Sequence, residues 1–213
     1  MAETLPQEFF RRIDDSDDEL FYSQPRRVVH IDEGAIEKVG QIYARLLPQN
    51  GAILDLMSSW RSHVPDQVRP ARLVGLGMNR PEMEDNPALS GIVIHDLNRN
   101  PALPFAEGDF DGAVVTVSIQ YMTRPVEIFR GVAKVLKSGA PFIVSFSNRM
   151  FPTKAVAIWH SLNEFDRVRL VSRYFQESGD FEKMEVIDMS APTEPPSDPI
   201  WAVVGYCRCE GQR

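Results

Sequence analysis

Cysteine is almost missing from this chain of 213 residues: only Cys207 and Cys209 occur, so a disulfide framework is excluded as the basis of its stability. The pair is also too little for zinc, which takes about four ligands, because no second Cys or His pair stands at ligand spacing. Two thiols in the last strand and no metal is the reading. Histidine is equally sparse. His30, His63, His95 and His160 follow neither an HExxH pattern nor a Ser-His-Asp order, which leaves nucleophilic catalysis unsupported. His95 reads as a core residue at a strand end. No run of 18 apolar residues is present, and the first fifteen residues lack the apolar stretch of a signal peptide. The expectation is a soluble, cytoplasmic protein with no membrane partner.

A basic surplus is missing as well. Lys and Arg number 23 against 30 Asp and Glu, a net charge of -7 that repels polyanions and favours a small-molecule substrate over nucleic acid. The basic pairs Arg11-Arg12 and Arg26-Arg27 are local exceptions, and Asp14, Asp15, Asp17 and Asp18 offset the first. The oligomeric state leaves no mark in the sequence.

What is present is ordinary globular material. The 43% hydrophobic and 25% charged residues match a folded domain, and the length suits a single one. Residues 1–33 are polar but carry Phe9, Phe10, Phe21 and Tyr22, so they read as an arm that docks on an α/β domain spanning 34–213. Apolar residues at three- and four-residue spacing predict a helix over 34–47, capped by Asp32 and stopped by Pro48.

Five nearly continuous apolar runs follow, at 51–57, 72–77, 91–95, 111–118 and 140–146, as expected of parallel strands covered on both faces. Pro125 opens a helix that ends at Lys137-Ser138-Gly139, and one or two helices from Thr153 to about Gln176 hold Val156, Trp159, Leu162, Phe165 and Leu170. Two last runs, Phe181 to Met189 and Trp201 to Cys209, are joined by a proline-rich loop too short for a crossover helix, and so pair antiparallel. The whole predicts a doubly wound, mostly parallel seven-stranded sheet with strands alternating with helices, a C-terminal antiparallel hairpin and one reversed edge strand.

In such a sheet ligands bind beyond the carboxyl ends of the strands, where the strand order reverses. Those ends carry Asp55-Leu-Met-Ser-Ser-Trp60, Gly77-Met-Asn79, His95-Asp-Leu-Asn98, Ser118-Ile-Gln-Tyr121 and Ser147-Asn-Arg149. Gly75-Leu-Gly77 is a poor dinucleotide loop, since Arg80 stands where a third glycine belongs.

The order of Ala52-Ile-Leu-Asp-Leu56, Leu103-Pro-Phe105 with Phe110-Asp111, and Val135-Leu-Lys-Ser-Gly139 resembles that of the class I S-adenosylmethionine-dependent methyltransferases, particularly the type 11 methyltransferase-domain group, over roughly residues 50–150. The resemblance implies the methyltransferase Rossmann-like fold, S-adenosylmethionine as cofactor and methyl transfer to a small molecule. By that resemblance Asp55, Met57, Ser58 and Ser59 border the methionine moiety, and Gly77, Met78 and Asn79 the ribose and adenine. Asp96 and the backbone of Leu97 meet the adenine amino group, and Ser118 and Ile119 floor the sulfonium. Tyr121, Gln120 and Asn148 orient the acceptor, with Tyr22, Arg26 and Arg149 completing its pocket.

Trp60 and Tyr121 are placed to face the sulfonium, and Arg61 and His63 to meet the donor carboxylate. Asp55 and Asp96 also suit plain turn-capping roles. Two departures stand out. Met57-Ser-Ser-Trp60 replaces the family's glycine-rich loop, and Gly77 replaces the acidic residue that holds the ribose hydroxyls, leaving Asn79 or Glu82 as substitutes. They keep open a second reading, a non-catalytic binding or assembly module on the same fold.

Overall fold

The computed structural model describes residues 5–208. Helix α1 (Asp18–Phe21) lies in the arm and α2 (Glu33–Leu46) opens the main body. There follow β1 (Ala52–Leu56), β2 (Arg72–Gly77), α3 (Arg80–Glu84), β3 (Gly91–Ile94), β4 (Gly112–Thr116), α4 (Pro125–Val135), β5 (Pro141–Phe146), α5 (Ala157–Ser161), α6 (Glu164–Ser178), β6 (Phe181–Met189) and β7 (Ile200–Cys207). Seven strands form one sheet in the order β3-β2-β1-β4-β5-β7-β6. β1 to β5 are parallel, and β7 runs antiparallel to both β5 and β6.

The hairpin is therefore as expected, but the reversed strand is not at the edge. β7 inserts between β5 and β6, because its run IWAVVGYC is buried at nearly every position while β6 alternates between covered and exposed residues. An alternating strand suits the edge, and a continuous apolar one needs neighbours on both sides. Cys209 lies outside the described residues, and Cys207 is buried, its thiol donating to Ala133 O at 3.3 Å.

Alternation along β1 divides the core. Ile53 faces the layer containing α2, whereas Leu54 and Leu56 face the layer of α4 and α6. The α2 layer is tied down by Asp32, which accepts from Ala35 N at 2.8 Å as N-cap and from Asp198 N at 2.6 Å in the β6–β7 loop. Pro125 sits at the first turn of α4, where its missing N–H costs nothing. Asn163 caps α6, so Thr153 to Gln176 holds two helices, the second starting beside Phe165. Phe165 is 73% exposed and does not join the core, since it lies on the solvent side of the first turn of α6.

Helices do not alternate with every strand. The β1–β2 connection has only a single 3-10 turn (Asp66–Val68), and β3–β4 has no helix. The arm docks on the segment that follows β5: Arg12 bridges to Val156, and Asp14 N donates to Thr153 O at 2.9 Å.

Candidate functional site

The strand order reverses at β1, with β2 on one side and β4 on the other, and the cleft beyond these carboxyl ends is the candidate site. Its floor comes from Asp55, Leu56, Leu76, Gly77, Thr116 and Val117, its far wall from His95 to Asn98, and its roof from the arm between Tyr22 and Ile31. The free space amounts to about 140 Å³, well short of the roughly 300–1,000 Å³ of a small-molecule cleft.

Two strained residues shape the floor. Met57 and Val117, each following a central strand, hold φ of 55° and 47°. The left-handed region costs a non-glycine residue about 1–2 kcal/mol, more for a β-branched one, and such strain gathers at functional sites. Met57 thus bends the chain directly after β1 without a glycine. After it the chain crosses onto β2: Ser58 N donates to Leu76 O at 2.9 Å.

That crossing accounts for Gly77. A Cβ there would lie 2.3 Å from the Ser58 carbonyl oxygen and 2.9 Å from Met83 Sδ. No side chain, least of all a carboxylate, fits at the end of β2 while the loop holds this path. Gly77→Ala is expected to destabilise the fold by about 3 kcal/mol, from overpacking against backbone. Urea unfolding reads this directly, and a loss under about 1 kcal/mol would mean the loop yields freely.

Asp55 shares the α2-side face with Ile53 and is 5% exposed. Burial pushes its carboxyl up to about 6 against hydrogen bonds from Ser58 and Ser62 that pull it down. Ser58 Oγ donates to it at 2.9 Å. Nearby Tyr43 from α2 shares hydrogen bonds with Thr116 and Ser145 at 2.7 and 3.0 Å, and burial keeps its phenol neutral. Across the cleft Asp96 Oδ1 accepts from Asn98 N and Arg99 N at 2.8 and 3.2 Å, an Asx turn that leaves Oδ2 without a partner among the described residues.

Glu82 and Asn79, the residues expected to serve a ribose, are already engaged. Glu82 Oε1 accepts from Arg26 N, and its Oε2 from Ser59 Oγ, both at 2.5 Å. Asn79 Oδ1 caps α3 through Glu82 N at 2.9 Å, and its Nδ2 donates to Tyr22 O at 2.8 Å. The arm backbone therefore occupies both candidates.

Of the residues expected at the site, Asp55, Met57, Ser58, Ser59, Gly77, Met78, Asn79, Asp96, Leu97, Ser118, Tyr121, Tyr22 and Arg26 all line the cleft, as do Trp60, Arg61 and His63. Four do not. Ile119 is packed in the core beneath. Gln120 is 1% exposed and turns inward, donating to Val117 O at 2.9 Å. Asn148 points outward, and Arg149 leaves the cleft to pair with Asp198 at 2.8 Å. The helical turn Ile119–Tyr121 sends successive side chains in different directions, so only Tyr121 reaches the cleft.

His95 is no core residue. It lines the cleft, half-buried, with Nε2 at 2.7 Å from Asn100 O. Val28, His30, Thr116 and Phe151 were not legible as site residues, because nothing local marks the ends that tertiary folding brings together. Burial lowers the His30 imidazole. His63 is lowered to about 4 by burial first and then by Arg61 and His30, so both are neutral at pH 7. Tyr121 is raised by burial, and its hydroxyl accepts from Phe151 N at 2.7 Å.

No protein-family model matches the sequence, and no curated protein matches it either. The architecture, by contrast, matches solved structures. A SAM-dependent methyltransferase of Thermotoga maritima superposes with a TM-score of 0.59 at 14% identity, covering 81% of this chain and 89% of that one. The chain has the class I methyltransferase fold. The YcgJ protein of Bacillus subtilis gives 0.55 at 11% identity over 82% and 99% of the two chains. The [4+2]-cyclase SpnF gives 0.58 at 14% identity over 90% and 93%. At such identities this methyltransferase-fold chain shares architecture with these proteins, and its chemistry must be argued from the site.

Proposed function

We propose that the protein binds S-adenosylmethionine in this cleft and transfers its methyl group to a small-molecule acceptor. The observation that carries the reading is Asp55, a carboxylate buried at the strand-order reversal with its charge uncompensated by any ion pair among the described residues. A ligand ammonium is the partner it lacks. The free oxygen of Asp96 suits an adenine amino group, and Trp60, Tyr121 and Tyr22 offer aromatic faces to a sulfonium. The ribose is the misfit, since Glu82 and Asn79 are held by the arm. With the small cavity, this means that the arm between Tyr22 and Ile31 withdraws to admit the donor.

The donor supplies the activated methyl group. The chain's own work is to align the acceptor with it and to exclude water, and alignment alone is worth up to about 7–11 kcal/mol in favourable cases. A thiol or amine acceptor needs no base. For a hydroxyl, the cleft groups able to take a proton at neutral pH include the Asp55 carboxylate, raised to about 6, and the neutral His30 imidazole, whereas His63, lowered to about 4, is a weaker base and Tyr22 and Tyr121 stay protonated and can only donate.

The engaged ribose groups and the Ser58 carbonyl over Gly77 favour one other reading, a binding or assembly module that has given up catalysis. A cyclase shares the fold, so fold does not fix the reaction. Calorimetric titration with S-adenosylmethionine and S-adenosylhomocysteine separates the two. The expected result is a saturable heat in the micromolar range; no heat and no thermal shift at millimolar ligand would leave only the module.

A further inference from the structure

Of the two arginines lining the cleft, Arg26 is the one whose guanidinium makes no ion pair among the described residues. Arg61 pairs with Glu33 at 3.1 Å, and the imidazoles of His30 and His63 are neutral. Arg26 makes no ion pair among the described residues, although Asp18 and Glu82 line the same cleft. Asp18 is taken by Arg12 and Lys154, and Glu82 by the backbone of Arg26 itself and by Ser59.

The guanidinium lies instead 3.9 Å from the centroid of the Phe21 ring and 5.6 Å from that of Phe151. Of its five N–H groups one has a partner, Nη2 donating to Phe21 O at 3.1 Å, while Nε is buried with none. A charge set against two rings and making no ion pair with the nearby carboxylates is available to an anion that arrives from outside, and it moves with the arm that carries it.

We propose that Arg26 is the anion-recognising residue of the cleft, and that the methyl acceptor is a small carboxylate carried on a flat, apolar body. This rests on the methyl-transfer reading for the word acceptor, though not for the anion. A singly charged carboxylate fits better than a phosphate, because Asp55, Glu82 and Asp96 surround the same space and would repel a dianion. The flat body follows from the walls, where Tyr22, Trp60, Tyr121 and Phe151 present aromatic surface. The guanidinium plane can extend that stack while its end-on fork takes both carboxylate oxygens.

The test uses the full chain, with benzoate and cinnamate as probes and benzamide and cinnamide as uncharged counterparts of the same shape. Binding is read by calorimetry and thermal shift, with and without S-adenosylhomocysteine. Carboxylates are expected to bind at least tenfold more tightly than the amides. Arg26→Gln, which keeps a donor for Phe21 O, is expected to abolish that preference, and Arg26→Lys to retain part of it. If amides bind as well as carboxylates, if no carboxylate binds at 10 mM (roughly the limit of weak anion sites), or if Arg26→Gln retains the preference while melting like the wild type, the assignment falls.

The donor has a carboxylate of its own, so S-adenosylhomocysteine is compared with 5′-methylthioadenosine, which lacks the amino acid end. A tenfold loss in Arg26→Gln confined to S-adenosylhomocysteine would give Arg26 to the donor and overturn the acceptor class. Carboxylate binding that depends on Arg26 in a protein showing no donor heat would instead sink the methyl-transfer reading and leave the anion site standing.

Discussion

Asp55→Asn is expected to make the protein more stable at pH 8 and, at the same time, to weaken donor binding at least tenfold. Burial lifts the carboxyl from 3.8 to about 6 in the folded state. A folded value above the unfolded one favours the native state most below about pH 4, and that advantage is lost as the pH rises through about 6. At pH 8 the buried ionised group therefore costs about 3 kcal/mol, taken at about 1.4 kcal/mol per unit.

The neutral amide removes that cost and gives back about 1 kcal/mol through a weaker bond from Ser58. A net gain of about 2 kcal/mol corresponds to roughly 4–8 °C for a domain of this size. His63 acts in the opposite direction. Its lowered imidazole makes the native state lose ground between pH 6.5 and about 4, where the unfolded chain gains the proton. The two effects oppose each other over that range in the wild type, so the variant should show the steeper acid loss. Melting curves from pH 4 to 8, with donor titration at pH 8, test both halves. A variant no more stable than wild type at pH 8 would show that the carboxylate is not a burden to folding and would remove the main support for a ligand ammonium beside it.

The second large effect is expected at the point where the arm is latched. Lys154 is fully buried, its ammonium 3.2 Å from Asp18 and 3.3 Å from Asp14, and it donates to Ser16 O at 2.8 Å. Asp18, 5% exposed, also accepts from Arg12 Nη1 at 2.7 and 2.8 Å and from Asn98 at 3.0 Å. Burial, the largest single influence, pushes the Asp18 carboxyl up, but the hydrogen bonds from Arg12, Asn98 and Lys154 and the charge of Arg12 together hold it below 3.8. The latch is thus at full strength above about pH 4 and is lost only as the pH falls through the lowered value.

Asp18→Asn keeps the shape but removes the buried carboxylate that Arg12 and Lys154 share, leaving them only the more exposed Asp15 and Asp14, which costs about 3 kcal/mol. The cost falls on the arm and its contacts, so the arm should open before the sheet melts. Trypsin cleavage after Arg26 and Arg27 should accelerate at least tenfold at a temperature where the wild type resists. Donor affinity should rise, because an open arm frees Glu82 and Asn79. Unchanged cleavage would mean that the arm is held elsewhere.

Much of the fold is legible in the sequence because it rests on local periodicity. Continuous apolar runs predicted β1 to β5 to within a few residues, and Asp32, Pro125 and the three- and four-residue spacing placed α2 and α4. What failed shows the limit of that signal. Phe165 fits an apolar helix face by spacing but looks to solvent, since the rotation of α6 is set by packing against α4 and β7. Gln120, Asn148 and Arg149 stand at strand ends, as expected. A strand end fixes a position without fixing the direction of a side chain, and each turned to another partner.

The sequence by itself determined that a mostly parallel sheet forms and that Asp55 and Asp96 stand at its carboxyl edge, because strand identity and strand-end position follow from hydrophobic pattern and turn chemistry. Only the tertiary structure decided that β7 lies inside β6, that the Ser58 carbonyl requires Gly77 to be bare, and that the arm closes on Glu82 while leaving the charge of Arg26 unpaired. These depend on contacts between residues far apart in the chain, as in the pairing of Asp32 with Asp198, 166 positions apart. Non-local partners of that kind are chosen by burial and by the satisfaction of polar groups, and no local pattern in the chain records them.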